Sequence, residues 1–220
     1  TVNTTENVIV NTAGGTPQIA LTIGSTTRQA AYLSGSGTNA LLFRYILQAG
    51  DSDSDGIAVG TLAKNGGSLK DSVGNDMTLT LNSVGSTTGV QVDAIAPTVA
   101  SVASPSDNTY SQSSNLEFTV NTSENVVVDT AGGTPQIALT IGATTRQAAY
   151  VSGSGTSALL FRYTVQVGDT DSAGIAVGTL SANGGTLKDS AGNDMVLTLN
   201  SVGTTSALLV DTTSPALSSS

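Results

Sequence analysis

The chain has 220 residues and a mass of 21.8 kDa, with 16 acidic against 7 basic side chains and a formal charge of −9. It contains no histidine, cysteine or tryptophan, which excludes a disulfide framework, a histidine- or thiolate-held zinc or haem site, a thiol nucleophile and any histidine-based triad. Only 10% of residues are charged whereas serine and threonine number 61, so hydroxyls and amides carry the burden of solubility. An acidic chain without basic clusters is repelled by phosphate backbones and anionic lipid surfaces, and nucleic-acid binding is not expected. No apolar run approaches the roughly 18 residues of a spanning helix, so membrane insertion of this segment is not expected either, and any export signal or anchor is expected to lie outside it.

Internal repetition dominates the sequence. Residues 1 to 102 align with 119 to 220 at a constant offset of 118, without a gap and with 74 identical positions. Such a period is too long for a solenoid and suits a whole domain. The expected organisation is a first repeat at 1–97 that lacks its first strand and part of its second, a complete repeat at 98–215, and the start of a third at 216–220. The chain reads as a window on a longer tandem array, and the first repeat is expected to expose a sheet edge, filled by upstream residues or by a strand of another chain.

Taken in chain order, the complete repeat begins with Pro97 ahead of a first edge strand, where a missing amide is harmless. Leu116, Phe118 and Val120 then alternate with polar residues, as do Ile137, Leu139 and Ile141, and Leu159, Phe161, Tyr163 and Val165. Period-two patterning with β-branched and aromatic residues predicts strands with one apolar face. Glycines at 132–133, 142, 153, 155, 168, 184–185 and 192 mark the turns between them. The predicted class is all-β: tandem immunoglobulin-like antiparallel β-sandwiches of Greek-key type. Arg28, Arg44, Arg146 and Arg162 fall on strands and are expected to pair across strands or lie over tyrosine.

Carboxylates are sparse, so their grouping is informative. Asp51, Asp53 and Asp55 precede Gly56 in GDSDSDG, and Asp169 and Asp171 stand at the same place in the second copy, with Ala173 in place of the third aspartate. Alternate aspartates before a glycine match the opening of a calcium loop, although position twelve is Leu62 and not a bidentate glutamate. The plainer alternative is a solvated Asp-Gly turn. A second calcium set is expected where one repeat follows the next. Asp93 and Asp211 end the last strand of each repeat, Glu6 and Glu124 occupy a TEN or SEN turn after the second strand, and Asp189, Asn193 and Asp194 belong to LKDSAGND. Asp93 would then meet Glu124 and the 189–194 turn around one cation; the alternative is local capping by each.

The run from Asn115 to Ile175, followed by LKDSAGND and closed by VDTTSP, resembles the bacterial immunoglobulin-like tandem repeats of large secreted adhesins and surface proteins. The resemblance covers essentially the whole chain. It implies a secreted module at the bacterial cell surface or in the extracellular matrix, non-catalytic, serving as an extended stalk or adhesive fibre and frequently stiffened by calcium. The expected partners are neighbouring repeats of the same chain. Two alternatives stand beside the stalk: a subunit of a self-assembling filament or biofilm matrix in which identical chains exchange strands, and a glycan-binding module for cell-surface or matrix sugars. Catalysis is not expected, because a serine nucleophile would lack its histidine and the carboxylates recur in turns with every repeat.

Overall fold

A computed structural model of the chain describes residues 1–217, so 218–220 of the expected third start at 216–220 lie outside the described residues. The chain divides into two compact units, Thr1–Ile95 and a second beginning at Ala96. All regular structure among the described residues is β.

The second unit holds β9 (Val99–Ala103), β10 (Asn108–Tyr110), β11 (Asn115–Asp129), β12 (Gln136–Ile141), β13 (Thr144–Ser152), β14 (Thr156–Thr164), β15 (Thr170–Asp171), β16 (Ala176–Ser181), β17 (Thr186–Lys188) and β18 (Leu208–Asp211). Its main sheet runs β16-β12-β13-β14-β11-β17, with β9 added antiparallel to β11 and Val120 opposite Val102. A small sheet runs β10-β18-β15. Here β10 and β18 are parallel, and single parallel bridges join Thr98 to Val196 and Val102 to Val202. The pairing is therefore mixed and not purely antiparallel: β9 and β10 run alongside segments from the other end of the unit, more than ninety residues later, and hairpin geometry does not apply to them.

The alternating residues face inward. Leu116, Phe118, Val120, Ile137, Leu139, Leu159 and Phe161 are fully buried and belong to one continuous core with Val99, Val102, Val165, Ile175, Leu208 and Val210. Phe161 meets Tyr150 edge-on, with ring centroids 5.8 Å apart, the arrangement ring quadrupoles favour.

The first unit repeats this framework with β1 (Val2–Asn11), β2 (Gln18–Ile23), β3 (Thr26–Ser34), β4 (Thr38–Arg44), β5 (Ser52–Asp53), β6 (Ala58–Ala63), β7 (Ser68–Lys70) and β8 (Val92–Asp93). Its sheet runs β6-β2-β3-β4-β1-β7, the order of the second unit, and β5 pairs with β8. Counterparts of β9 and β10 are absent from Thr1–Ile95. The core is correspondingly broken into two small clusters, one around Val8, Leu41 and Leu69 and one around Ile19, Ala30 and Leu62.

The expected turn at Glu6 and Glu124 is not a turn. β1 and β11 continue as strands through these positions, across a register shift in their pairing with β4 and β14 between Asn3 and Val8 and between Asn121 and Val126, and take up β7 and β17 from Ile9 and Val127 onward. A β-bulge bends a strand without ending it. A run of polar residues in TSEN therefore marks a bulge that lets one strand serve two partners.

Candidate functional sites

The two GD(S/T)D segments form the same structure in both units, starting from a hairpin. Ile141 pairs with Thr144 across a two-residue loop that opens with Gly142 at φ 57°. A side chain there would meet the Thr170 carbonyl at 2.5 Å, so glycine is required both by backbone hand and by the close approach. The Gly142 N–H donates to Asp171 Oδ2 at 2.7 Å, and Ala173 and Gly174 N–H donate to Oδ1 at 2.9 and 2.8 Å. In the first unit, Gly24 and Gly56 N–H bind Asp53 at 2.7 and 2.8 Å. The Gly24 amide, against the opposing cost of burial, holds the Asp53 carboxyl below the ordinary aspartate range.

Asp169 turns away from Asp171 to a different set of donors. Its Oδ1 accepts from Arg146 Nε at 2.8 Å and Nη2 at 2.7 Å; its Oδ2 accepts from the Tyr163 hydroxyl at 2.5 Å and the Gln166 N–H at 2.8 Å. Burial works to raise its pKa, but these bonds together outweigh it and hold the carboxyl below its usual value. Burial beside the carboxylate pushes the Tyr163 hydroxyl up to about 12. Asp51 accepts from Arg28, Tyr45 and Gln48 in the same way, and the Tyr45 hydroxyl leads in lowering its pKa. A guanidinium stands beside Asp51 and Asp169, while Asp53 and Asp171 accept from backbone amides, and all four tie their loops to neighbouring segments. Asp55 is exposed.

Most of the other predicted ligands have hydrogen-bond or ion-pair partners close to them in the chain. Asp93, at the end of β8, accepts from the Ile95 N–H at 3.1 Å. Glu124 lies half-buried in the bulge of β11, where its carbonyl accepts from the Thr122 hydroxyl at 2.6 Å. Asp189 is buried and closes its own turn: Oδ1 accepts from Gly192 and Asn193 N–H at 2.7 and 2.8 Å, and Oδ2 from the Asn193 side-chain amide at 2.7 Å. Asp194 pairs with Lys188 at 2.6 Å, and Asp211 accepts from the Thr213 N–H at 2.8 Å.

The arginines take two roles. Arg162 pairs across strands with Glu117, its register partner, at 2.5 Å, as expected, whereas Arg28 and Arg146 reach loop aspartates 23 residues away. The sequence offers one signal for the second pairing, the same offset from arginine to GD in both copies, but a repeat preserves every offset alike.

A cleft of about 1170 Å³ in the first unit is lined by Leu21, Phe43, Leu47, Ile57, Met77 and Val90 among others. Leu47 and Val90 are 49% and 47% exposed, while the residues at the same places in the second unit, Val165 and Leu208, are 1% and 0% exposed. Leu21 and Phe43 are half-buried; Leu139 and Phe161 are fully buried.

No protein-family model, no curated protein and no solved structure matches this chain.

Proposed function

We propose that the chain is a non-catalytic structural repeat of an extracellular bacterial adhesin or surface fibre, each unit an immunoglobulin-like sandwich and the array an extended stalk. The observation that carries this reading is the gapless duplication of one β framework. The sheet order is the same in both units, and in each a buried aspartate, Asp51 or Asp169, pairs with an arginine of the sheet and fixes its loop there. Repetition of a body without chemistry of its own supplies length, and a strand of 10 to 12 residues spans about 40 Å. Calcium stiffening belongs to the proposal on sequence grounds alone, from the acidic residues that recur near the ends of each repeat.

Small-angle scattering from arrays of two, four and six repeats, with calcium and with a chelator, tests the stalk. A maximum dimension that grows by a constant increment of about 40 Å per repeat, with a narrower spread in calcium, is expected. Dimensions that grow as the cube root of mass would overturn it.

A further inference from the structure

The turn between β6 and β7, and its counterpart between β16 and β17, each carry a pair of residues with chemistry of its own. Of the chain's asparagines, Asn65 and Asn183 alone precede glycine. Each stands at the centre of a tight turn: the Gly67 N–H donates to the Lys64 carbonyl at 2.8 Å, and the Gly185 N–H to the Ala182 carbonyl at 2.8 Å. Both central residues are left-handed, with φ 46° and 84° at Asn65 and Gly66 and 48° and 86° at Asn183 and Gly184, a conformation that Asn-Gly adopts most readily. All four residues are exposed. The Gly66 and Gly184 N–H groups meet no hydrogen-bond acceptor among the described residues.

Such a pair reacts with itself. The glycine nitrogen attacks Cγ of the asparagine before it and closes a cyclic imide: the N–Cγ bond forms, the Cγ–Nδ2 bond breaks, and Nδ2 leaves as ammonia with the amide proton. Water then opens the ring at either carbonyl and yields aspartate or isoaspartate. Adjacency supplies the effective concentration, and a following residue without a side chain leaves the approach open. Asn75 and Asn193 form the contrast. Their side-chain amides donate to Asp71 and Asp189 at 2.8 and 2.7 Å, and the residue after each, Asp76 or Asp194, carries a side chain and is bridged to Lys70 or Lys188.

The reaction alters what the turn holds. Asn65 Nδ2 donates to the Thr16 carbonyl at 3.1 Å and Asn183 Nδ2 to the Thr134 carbonyl at 3.0 Å, tying each turn to the loop ahead of β2 or β12. Main chains also touch there: a side chain on Gly133 would stand 1.9 Å from the Asn183 carbonyl oxygen, and one on Gly132 would stand 2.3 Å from that of Gly184. Aspartate has no donor for the Thr134 carbonyl and sets a negative charge against it. Isoaspartate in addition lengthens the main chain by a methylene and turns the carbonyl beside Gly133 into a free carboxylate.

We propose that Asn65 and Asn183 are modification sites at which the folded chain converts itself, without an enzyme, to aspartate and isoaspartate, and that each conversion unfastens its turn from the facing loop. This goes beyond the stalk reading and does not rest on it, because the chemistry belongs to a single turn within one unit.

The test ages the whole 220-residue chain in mildly alkaline buffer and follows it by ion exchange and peptide mass spectrometry. Elution should shift by one acidic step per site, with the mass gain of amide to acid confined to Asn65 and Asn183 and with isoaspartate identified by electron-transfer fragmentation. Asn183→Gly, which suits the same φ, should remove one step and leave the other. Hydrogen exchange at the Gly185 amide should be faster in the aged chain and in Asn183→Asp than in the fresh chain. Retention of both amides, conversion only when denaturant is present, or unchanged exchange at Gly185 after conversion would each overturn the proposal.

Discussion

Replacing Asp169 with asparagine removes a buried charge while keeping the shape, which makes it the sharpest probe of how the loops are held. The carboxylate side chain is fully inaccessible, Arg146 is 31% exposed, and four donors converge on the two oxygens. An amide retains one acceptor oxygen and turns N–H bonds toward the other pair of donors. Hydrogen bonds to a charged group are worth about 1.5 to 3 kcal/mol each, and two are lost, but Arg146 regains water, so the discounted cost is about 2 to 3 kcal/mol at neutral pH. For a unit of this size that lowers Tm by roughly 8 to 12 °C. The pH dependence carries a sign. Asp169 titrates below the ordinary 3.8 when folded, so its stabilisation is complete above the unfolded pKa and lost as pH falls through the folded one. Calorimetry and far-ultraviolet circular dichroism of Asp169→Asn and of the parent chain at pH 7 and at about pH 2.5 should show two melting transitions. Only that of the second unit should shift, and the gap should shrink in acid. A change under about 0.5 kcal/mol at pH 7, or one that persists undiminished in acid, would refute the strut.

Two other substitutions follow from the packing. Phe161→Ala should cost about 3 to 5 kcal/mol in the second unit, because the ring is fully buried, while Phe43→Ala should cost about half that in the first, where the ring borders the cleft; urea titration of the two variants compares them. Gly142→Ala forces a positive φ on a residue with a side chain and drives it to 2.5 Å from the Thr170 carbonyl, so a loss of about 2 kcal/mol or more is expected in the same titration; an unchanged midpoint would show that the hairpin can move away.

Much of the β framework was legible from periodicity. Ile137, Leu139 and Ile141, and Leu159, Phe161, Tyr163 and Val165, line the core as alternation requires, since a pleated strand has no other way to bury every second side chain. The bulge at Glu6 and Glu124 was not legible: polar residues suit a turn and a bulge equally, and only the partners on either side distinguish them. Nor was the role of Asp51 and Asp169. Spacing showed carboxylates near a glycine, whereas their donors come from Arg28 and Arg146 on β3 and β13, brought close by folding alone. That the one segment Thr98–Phe118 serves three edges of the second unit at once, through Val99, Val102, Leu116 and Phe118, required the pairing of residues a hundred positions apart.

Amide hydrogen exchange across the whole chain tests most directly the claim that the two units share one framework and differ by an uncovered cleft. Amides of β2 and β3 should be protected as strongly as those of β12 and β13, while Phe43 to Leu47 and Thr80 to Gly85 should exchange much faster than Phe161 to Val165 and Thr198 to Gly203. Equal protection at these paired positions would contradict the account.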